Sequence, residues 1–258
     1  MVDAAAGPVG VGSTDYDRVH AAADQSPLMR ELWSRAMGDQ YPAEVDPFSS
    51  CSWWLLGRAV AGLCLRPGGL LVDLGCGRGG PGLWLARALS ARLIGVDFSA
   101  TAVDLAARRA VDFGLADRAE FRQATFEHTT IADRSADAIV SVDALPFAPD
   151  RAVALREVAR ILRPGGRLVF TGRTPRPDTA SWESMASLAG LDVVASHVNR
   201  EHDEQWQRLY DLWLSHEGQL RVEVGDAVTD NLLREATRAG EHLGRRDAVV
   251  MVVRRPTT

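Results

Sequence analysis

Two aspartates and a run of glycines carry the strongest chemical signal in this chain. Leu70 to Ala86 reads LLVDLGCGRGGPGLWLA. Glycines at such density let a ligand approach the backbone, where any Cβ would intrude and some φ angles must be positive. Gly75, Gly77 and Gly80 fit a dinucleotide fingerprint, while Asp73, Gly75, Gly77 and Gly79 fit a second nucleoside-binding pattern on the same glycines. In a dinucleotide site the next helix N-terminus faces a pyrophosphate. Asp73 sets a negative charge near that position, which repels a phosphate and attracts an ammonium group. S-adenosyl-L-methionine carries an ammonium, a sulfonium and no phosphate, so the sign of the charge favours it over NAD. Asp97 closes the next apolar run and can accept hydrogen bonds from both ribose hydroxyls. That feature serves either nucleoside, and a helix-capping acid is its plain structural alternative.

The elements around these residues follow a regular rhythm. Short apolar runs at 70–74, 92–97, 119–123, 138–142 and 167–171 read as strands, and amphipathic stretches separate them. Ser99 and Asp150 stand where helix caps belong, and Gly114 and Pro164-Gly165-Gly166 stand where helices end. Strands alternating with helices predict βαβ crossovers and a buried parallel sheet, a doubly wound α/β fold. Residues 191–198 and 248–253 read as two further strands. Residues 14–65 and 200–243 read as helical and fall outside the rhythm. The expected organisation is an N-terminal helical cap at 1–65, a nucleoside-binding core at 66–198, a helical lid at 199–245 and a last strand at 246–258, in one compact domain.

Four segments, VDLGCGRGG, GVDFS, ADAIVSVDAL and LRPGGRLVFTG, occur in that order. Together they resemble the class I S-adenosylmethionine-dependent methyltransferases, and among these the bacterial small-molecule enzymes that tailor secondary metabolites. The resemblance covers residues 48–171 well and the C-terminal part loosely. It implies a Rossmann-like sheet of seven strands with the last antiparallel, the cofactor lying across the carboxyl ends, and S-adenosyl-L-homocysteine as product. It places Asp73, Gly75, Cys76, Gly77 and Gly79 along the methionine and ribose side, Asp97 on the ribose diol and Phe98 beside the adenine. Thr125 and Phe126 take the adenine edge, and Ser141 and Val142 end the strand where the methionine end meets the substrate. Thr125 departs from the family, many members of which carry an acid there; its hydroxyl or a backbone carbonyl would have to serve. Cys76 has no base beside it in sequence, so a packing role is expected rather than thiol chemistry.

Methyl transfer is a displacement at a carbon that the cofactor has already activated. The protein must align the acceptor and exclude water, and it needs a base only where the acceptor loses a proton. Asp143, at the end of the fourth strand, ranks first as base, with ammonium binding or capping as its alternative role. His197 ranks second, with a solvated loop histidine as its alternative; His20 and His128 follow, and His128 reads as a surface residue. Tyr16, Trp53, Trp54, Phe147, Trp206, Tyr210 and Trp213 are the candidate walls of an aromatic acceptor pocket. The plain alternative is that they pack helices onto the sheet. A pocket closed by two helical caps suits a small, largely apolar acceptor, with O-methylation favoured over N- or C-. The same cofactor serving a cyclisation or isomerisation, and an NAD-dependent oxidoreductase, are the competing readings.

Composition narrows the partners. All 29 basic residues are arginine, they are scattered, and the net charge is −5. Nucleic acid and anionic membrane surfaces are therefore not expected partners. The three cysteines form no C-x-x-C pair, so neither a disulfide framework nor a metal site is expected. The N-terminus lacks the regions of a signal peptide and no apolar run reaches the roughly 20 residues of a membrane span, so a cytoplasmic monomer or homodimer is the expectation.

Overall fold

A computed structural model of the chain describes residues 13–174 and 180–257. All five residues of β1 (Leu70–Leu74) are buried, as a strand covered on both faces requires. Alternate residues feed opposite layers. Leu71 packs with Leu55, Leu83, Val140 and Val169, whereas Val72 packs with Ile139, Leu155, Leu168 and Phe170. The sheet order is β3-β2-β1-β4-β5-β7-β6, formed by β3 (Ala119–Gln123), β2 (Arg92–Asp97), β1, β4 (Ala136–Ser141), β5 (Leu162–Arg173), β7 (Ala248–Arg254) and β6 (Asp192–Val198). β1 to β5 pair in parallel, and β7 runs antiparallel to both β5 and β6. The seven-stranded, mostly parallel sheet with an antiparallel last strand is the expected one. Strand order reverses between β1 and β4, which opens a crevice at their carboxyl ends.

The helices outside the rhythm sort themselves by packing. α3 (Trp53–Leu63) lies against β4, β5 and β7 as part of the sheet's covering layer. By contrast α1 (Ser13–Gln25), α2 (Pro27–Met37), α8 (His202–Ser215), α9 (Glu217–Val224) and α10 (Asp226–Gly240) share a separate core. Leu32 and Trp33 from α2 meet Leu209, Tyr210 and Trp213 from α8 and Leu232 from α10. The N-terminal and C-terminal helical regions thus form a single layer. Ser26 joins its halves: its Oγ accepts from Met29 N to start α2 and donates to Glu223 of α9 at 2.5 Å.

On the sheet's other side, α6 (Arg151–Ile161) begins at Asp150, whose carboxylate accepts from Ala152 N and Val153 N. It carries Glu157, 8% exposed. This carboxylate accepts from Thr129 N at 2.9 Å and Thr129 Oγ1 at 2.6 Å, and pairs with Arg160 at 2.7 Å. Burial opposes its charge, but the bonds from Arg160 and Thr129 outweigh that and hold the carboxyl down at about 2. A folded-state value below the unfolded one adds stability above the unfolded pKa and loses it as pH falls toward the folded value. Glu157→Gln is therefore expected to lower Tm at neutral pH and to flatten the fall in Tm between about pH 5 and 2, read by thermal melts across that range.

Candidate functional site

β1 ends in a turn whose Gly75, Gly77 and Gly79 all have positive φ, at 72°, 50° and 78°. The amides of Gly75 and Cys76 donate to Val96 O at the end of β2, at 2.8 and 3.1 Å, which pins the turn to the neighbouring strand. Gly79 then starts α4 (Gly80–Ala88).

Asp73 is 2% exposed, and its Oδ2 has no hydrogen-bond partner among the described residues. It lies against the first turn of α4: a Cβ on Gly82 would stand 2.4 Å from that oxygen. The protein's own carboxylate thus fills the place at the helix N-terminus where a pyrophosphate would bind. Burial first, and then the nearby Asp97, push the Asp73 carboxyl up to about 7, with the Gly82 amide pulling it back. An orphaned carboxylate oxygen beside a second carboxylate fits a cationic ligand and opposes an anionic one.

Asp97 ends β2. Its Oδ2 accepts from Gly77 N at 2.8 Å and its Oδ1 from Ser99 N at 3.0 Å, so it organises the loop from below. α1 covers this end of the cleft. Asp17 accepts from Ser99 Oγ and from Thr101 N, docking α1 on the start of α5 (Ala100–Asp112). Tyr16 meets the Phe98 ring edge-on at 5.1 Å, and the His20 ring lies over Gly77, 3.2 Å from where a Cβ would be. Burial lowers the His20 pKa, against the pull of Asp97 and Asp17, so the ring is neutral near pH 7. Arg78, inside the loop, reaches Asp46 at 3.2 Å and Asp24 at 3.5 Å, tying the helical layer to the glycine turn. Phe126 lies against Gly75, while Thr125 is exposed on the loop after β3. Cys76 is buried; burial first, with Asp73 and Asp97, raises its thiol well above the usual value, which leaves it inert.

At the end of β4, Ser141 is fully buried. Its Oγ donates to Leu74 O at 2.7 Å and accepts from Leu145 N, so its polar group locks β4 to β1. Val142 packs in the core. Asp143 has φ 49°. Its carboxylate accepts from Ser50 N at 2.6 Å, Ser50 Oγ at 2.9 Å and Thr171 Oγ1 at 2.9 Å. Three donors fix it as an anchor between the segment before α3 and the end of β5. Sequence reasoning missed Ser50 and Thr171, since nothing in SSCS or FTGR marks them.

The remaining candidates divide. Tyr210 and Trp206 stand together on α8 with ring centroids 5.4 Å apart, and Trp206 and Trp213 both pack on Trp33 of α2. Trp53 lies 39% exposed against Trp84, and the Trp54 amide donates to Gln40 while Arg58 covers its ring, so both belong to the α3 surface. Phe147 is 43% exposed on the short turn after Asp143. His197 lies on the edge strand β6. It shares Val250 of β7 as register partner with Thr171, which puts it two strand spacings, about 10 Å, from Thr171, with the end of β4 and Asp143 one strand beyond. Glu235 of α10, which sequence reasoning also missed, accepts from Tyr210 Oη at 3.4 Å and lies within electrostatic reach of Tyr16 and Asp143.

A glycine turn with its anion position self-filled, an aspartate that closes β2 beneath it and a helical cover over this end of the sheet fit a Rossmann-like nucleoside site for a positively charged, phosphate-free ligand. Residues 72–170 match the family described as "Methyltransferase domain". The chain is 31% identical to "Methyltransferase GfsG" of Streptomyces halstedii over 209 residues, 72% of this chain and 75% of that one. It is 37% identical to "Dimethylglycine N-methyltransferase" of Parasynechococcus marenigrum (strain WH8102), over 67% of this chain and 59% of that one. It is 32% identical to "27-O-demethylrifamycin SV methyltransferase" of Amycolatopsis mediterranei (strain S699), over 65% of this chain and 63% of that one. The chain belongs to the S-adenosylmethionine-dependent methyltransferases. It is an enzyme, and S-adenosylmethionine is its cofactor.

The raised Asp73 pKa has a measurable consequence. A cationic ligand favours the ionised carboxyl, so the complex binds fewer protons than the free enzyme below about pH 7. S-adenosylmethionine affinity is expected to rise, by at most about tenfold per unit, as pH climbs toward about 7, and to level off above it. Calorimetry in buffers of different ionisation enthalpy reads the released protons, and Asp73→Asn should abolish that release.

Proposed function

We propose that the enzyme transfers the methyl group to a hydroxyl oxygen of a small, largely apolar or aromatic metabolite. One observation carries the reading: a helical layer with its own core sets Tyr16 against Phe98 at the end of β2 and Tyr210 within electrostatic reach of Asp143 at the end of β4, so it spans the carboxyl ends of the sheet. Such a roof suits a molecule that can be enclosed, where water is excluded from the reacting centre. The O-methyltransferase among its relatives supports oxygen as the acceptor atom, and the N-methyltransferase marks nitrogen as the competitor. The net charge of −5 supports a diffusible small molecule over nucleic acid. Among the described residues no helix is long and apolar enough to cross a membrane, which agrees with the proposed cytoplasmic setting.

When bound, the cofactor supplies an activated methyl group and its own leaving group. In this reading Asp97 accepts from the ribose hydroxyls, Phe98 and Phe126 flank the adenine, and the Gly75–Gly79 turn lets the nucleoside approach the backbone. Asp143 holds Ser50 and Thr171 together and so shapes the floor of the acceptor site.

The test incubates the enzyme and S-adenosylmethionine with hydroxylated aromatics, hydroxylated macrolides and secondary amines. The expected result is a gain of one methylene on an oxygen, matched by S-adenosylhomocysteine. Methylation of amines alone would overturn the choice of oxygen. Conversion of an acceptor with the cofactor unconsumed would replace transfer by a cyclisation or isomerisation.

A further inference from the structure

Glu235 is an acid in an apolar setting. It continues the stripe of α10 after Val228 and Leu232, half-buried where α10 packs on α8 and α1. Among the described residues its one hydrogen bond comes from Tyr210, and no arginine pairs with it. The titratable groups within electrostatic reach of it are Tyr210 from α8, Tyr16 from α1 and Asp143 from the end of β4. Nearby cations are committed elsewhere. Arg221 of α9 is held by Glu217, Asp226 and Asp230, and Arg173 by Asp203. Glu223 of α9 accepts from Ser26.

We propose that Glu235, oriented by Tyr210, accepts the proton of the acceptor's hydroxyl group. This rests on the acceptor site lying between the helical layer and Asp143, as proposed above. The other candidates are engaged or displaced. Asp143 already accepts three hydrogen bonds, His197 stands on the edge strand three strands from β4, and His20 covers the glycine turn on the cofactor side. Burial first, and then Asp143, push the Glu235 carboxyl up to about 7, with the Tyr210 bond pulling it back. A base poised near neutrality is the efficient kind. Burial and Glu235 raise the Tyr210 phenol far above its usual value, so it remains a donor that orients the carboxylate. The balance is closed: the acceptor oxygen gains the methyl group and loses its proton to Glu235, while sulfur keeps the bonding pair.

The test uses the full chain saturated with S-adenosylhomocysteine and para-fluorophenol as hydroxyl probe, which stays protonated well above neutral pH as a tyrosine does. Fluorine NMR reads its affinity from about pH 5.5 to 8.5. A charged acceptor makes the stronger bond, so wild-type affinity should climb about tenfold as pH rises through about 7. Glu235→Gln should bind more weakly with a flat profile, and its S-adenosylhomocysteine affinity should not change. Tyr210→Phe should move the midpoint upward. Should Glu235→Gln misfold, Glu235→Asp keeps a carboxyl and should keep the pH dependence with weaker binding. A wild-type profile in Glu235→Gln would overturn the role of Glu235 and leave the acceptor site standing. No binding of the probe to the wild type would overturn the acceptor-site reading, and this proposal with it.

Discussion

Asp97→Ala is expected to weaken S-adenosylhomocysteine binding by about 100-fold or more, since two charge-assisted hydrogen bonds to the ribose are worth roughly 1.5–3 kcal/mol each. Both Asp97 oxygens already accept one backbone amide, from Gly77 and Ser99. Each oxygen has two lone-pair sites, so capacity for the diol remains. The substitution has a second effect, because it leaves those buried amides unpaired. Tm should fall by several degrees as well. The two effects separate by measurement. Calorimetry well below Tm, where the loop is ordered, reads binding, while a melt without ligand reads the amides. Asp97→Asn keeps one oxygen for Gly77 and should recover most of the Tm and little of the affinity. Unchanged affinity in Asp97→Ala would remove Asp97 from the ribose.

Local pattern made the sheet legible. All seven strands fall where strands were read; the central parallel ones are apolar because the sheet buries both their faces, while β3 and β6 at the edges carry exposed polar residues. β5 extends further than its apolar run, back to Leu162 through Pro164-Gly165-Gly166, since Gly165 N donates to Arg255 O and Arg255 N donates to Gly166 O. The glycine turn was legible too, but the meaning of Asp73 was only half so. Its sign was readable from sequence; its position against Gly82, filling the helix N-terminus itself, is a matter of packing. The two helical regions gave no hint that they share one core, because residues such as Trp33 and Trp213 lie far apart in sequence and meet only through the fold. Tryptophans were poor guides for the same reason: spacing does not say whether a ring faces a cleft, a helix or, as with Trp53, another surface ring. Glu235 did leave a trace, an acid on the stripe Val228, Leu232, Glu235, Ala239, where an apolar residue is expected.

Gly75→Ala separates what the turn needs for folding from what it needs for shape. Gly75 and Gly114 have similar φ angles, 72° and 66°. A Cβ at Gly114 meets nothing within 4 Å, so alanine there bears only the left-handed cost, about 1–2 kcal/mol. A Cβ at Gly75 would stand 2.3 Å from the Ala144 Cβ and 3.2 Å from the Phe126 ring. Overpacking adds about 1–3 kcal/mol. At ~2–4 °C per kcal/mol, Gly114→Ala should lower Tm by ~2–8 °C, and Gly75→Ala by up to about twice that. The larger difference lies in function. Relief of the clash must move Ala144, and Ala144 follows Asp143, whose grip on Ser50 and Thr171 forms the floor of the proposed acceptor site. Gly75→Ala should therefore lose both cofactor affinity and turnover, while Gly114→Ala keeps both at temperatures below its Tm. Equal losses in the two variants would mean that the turn matters only through its backbone angles, and that the contact between Gly75 and Ala144 does not couple the two halves of the site.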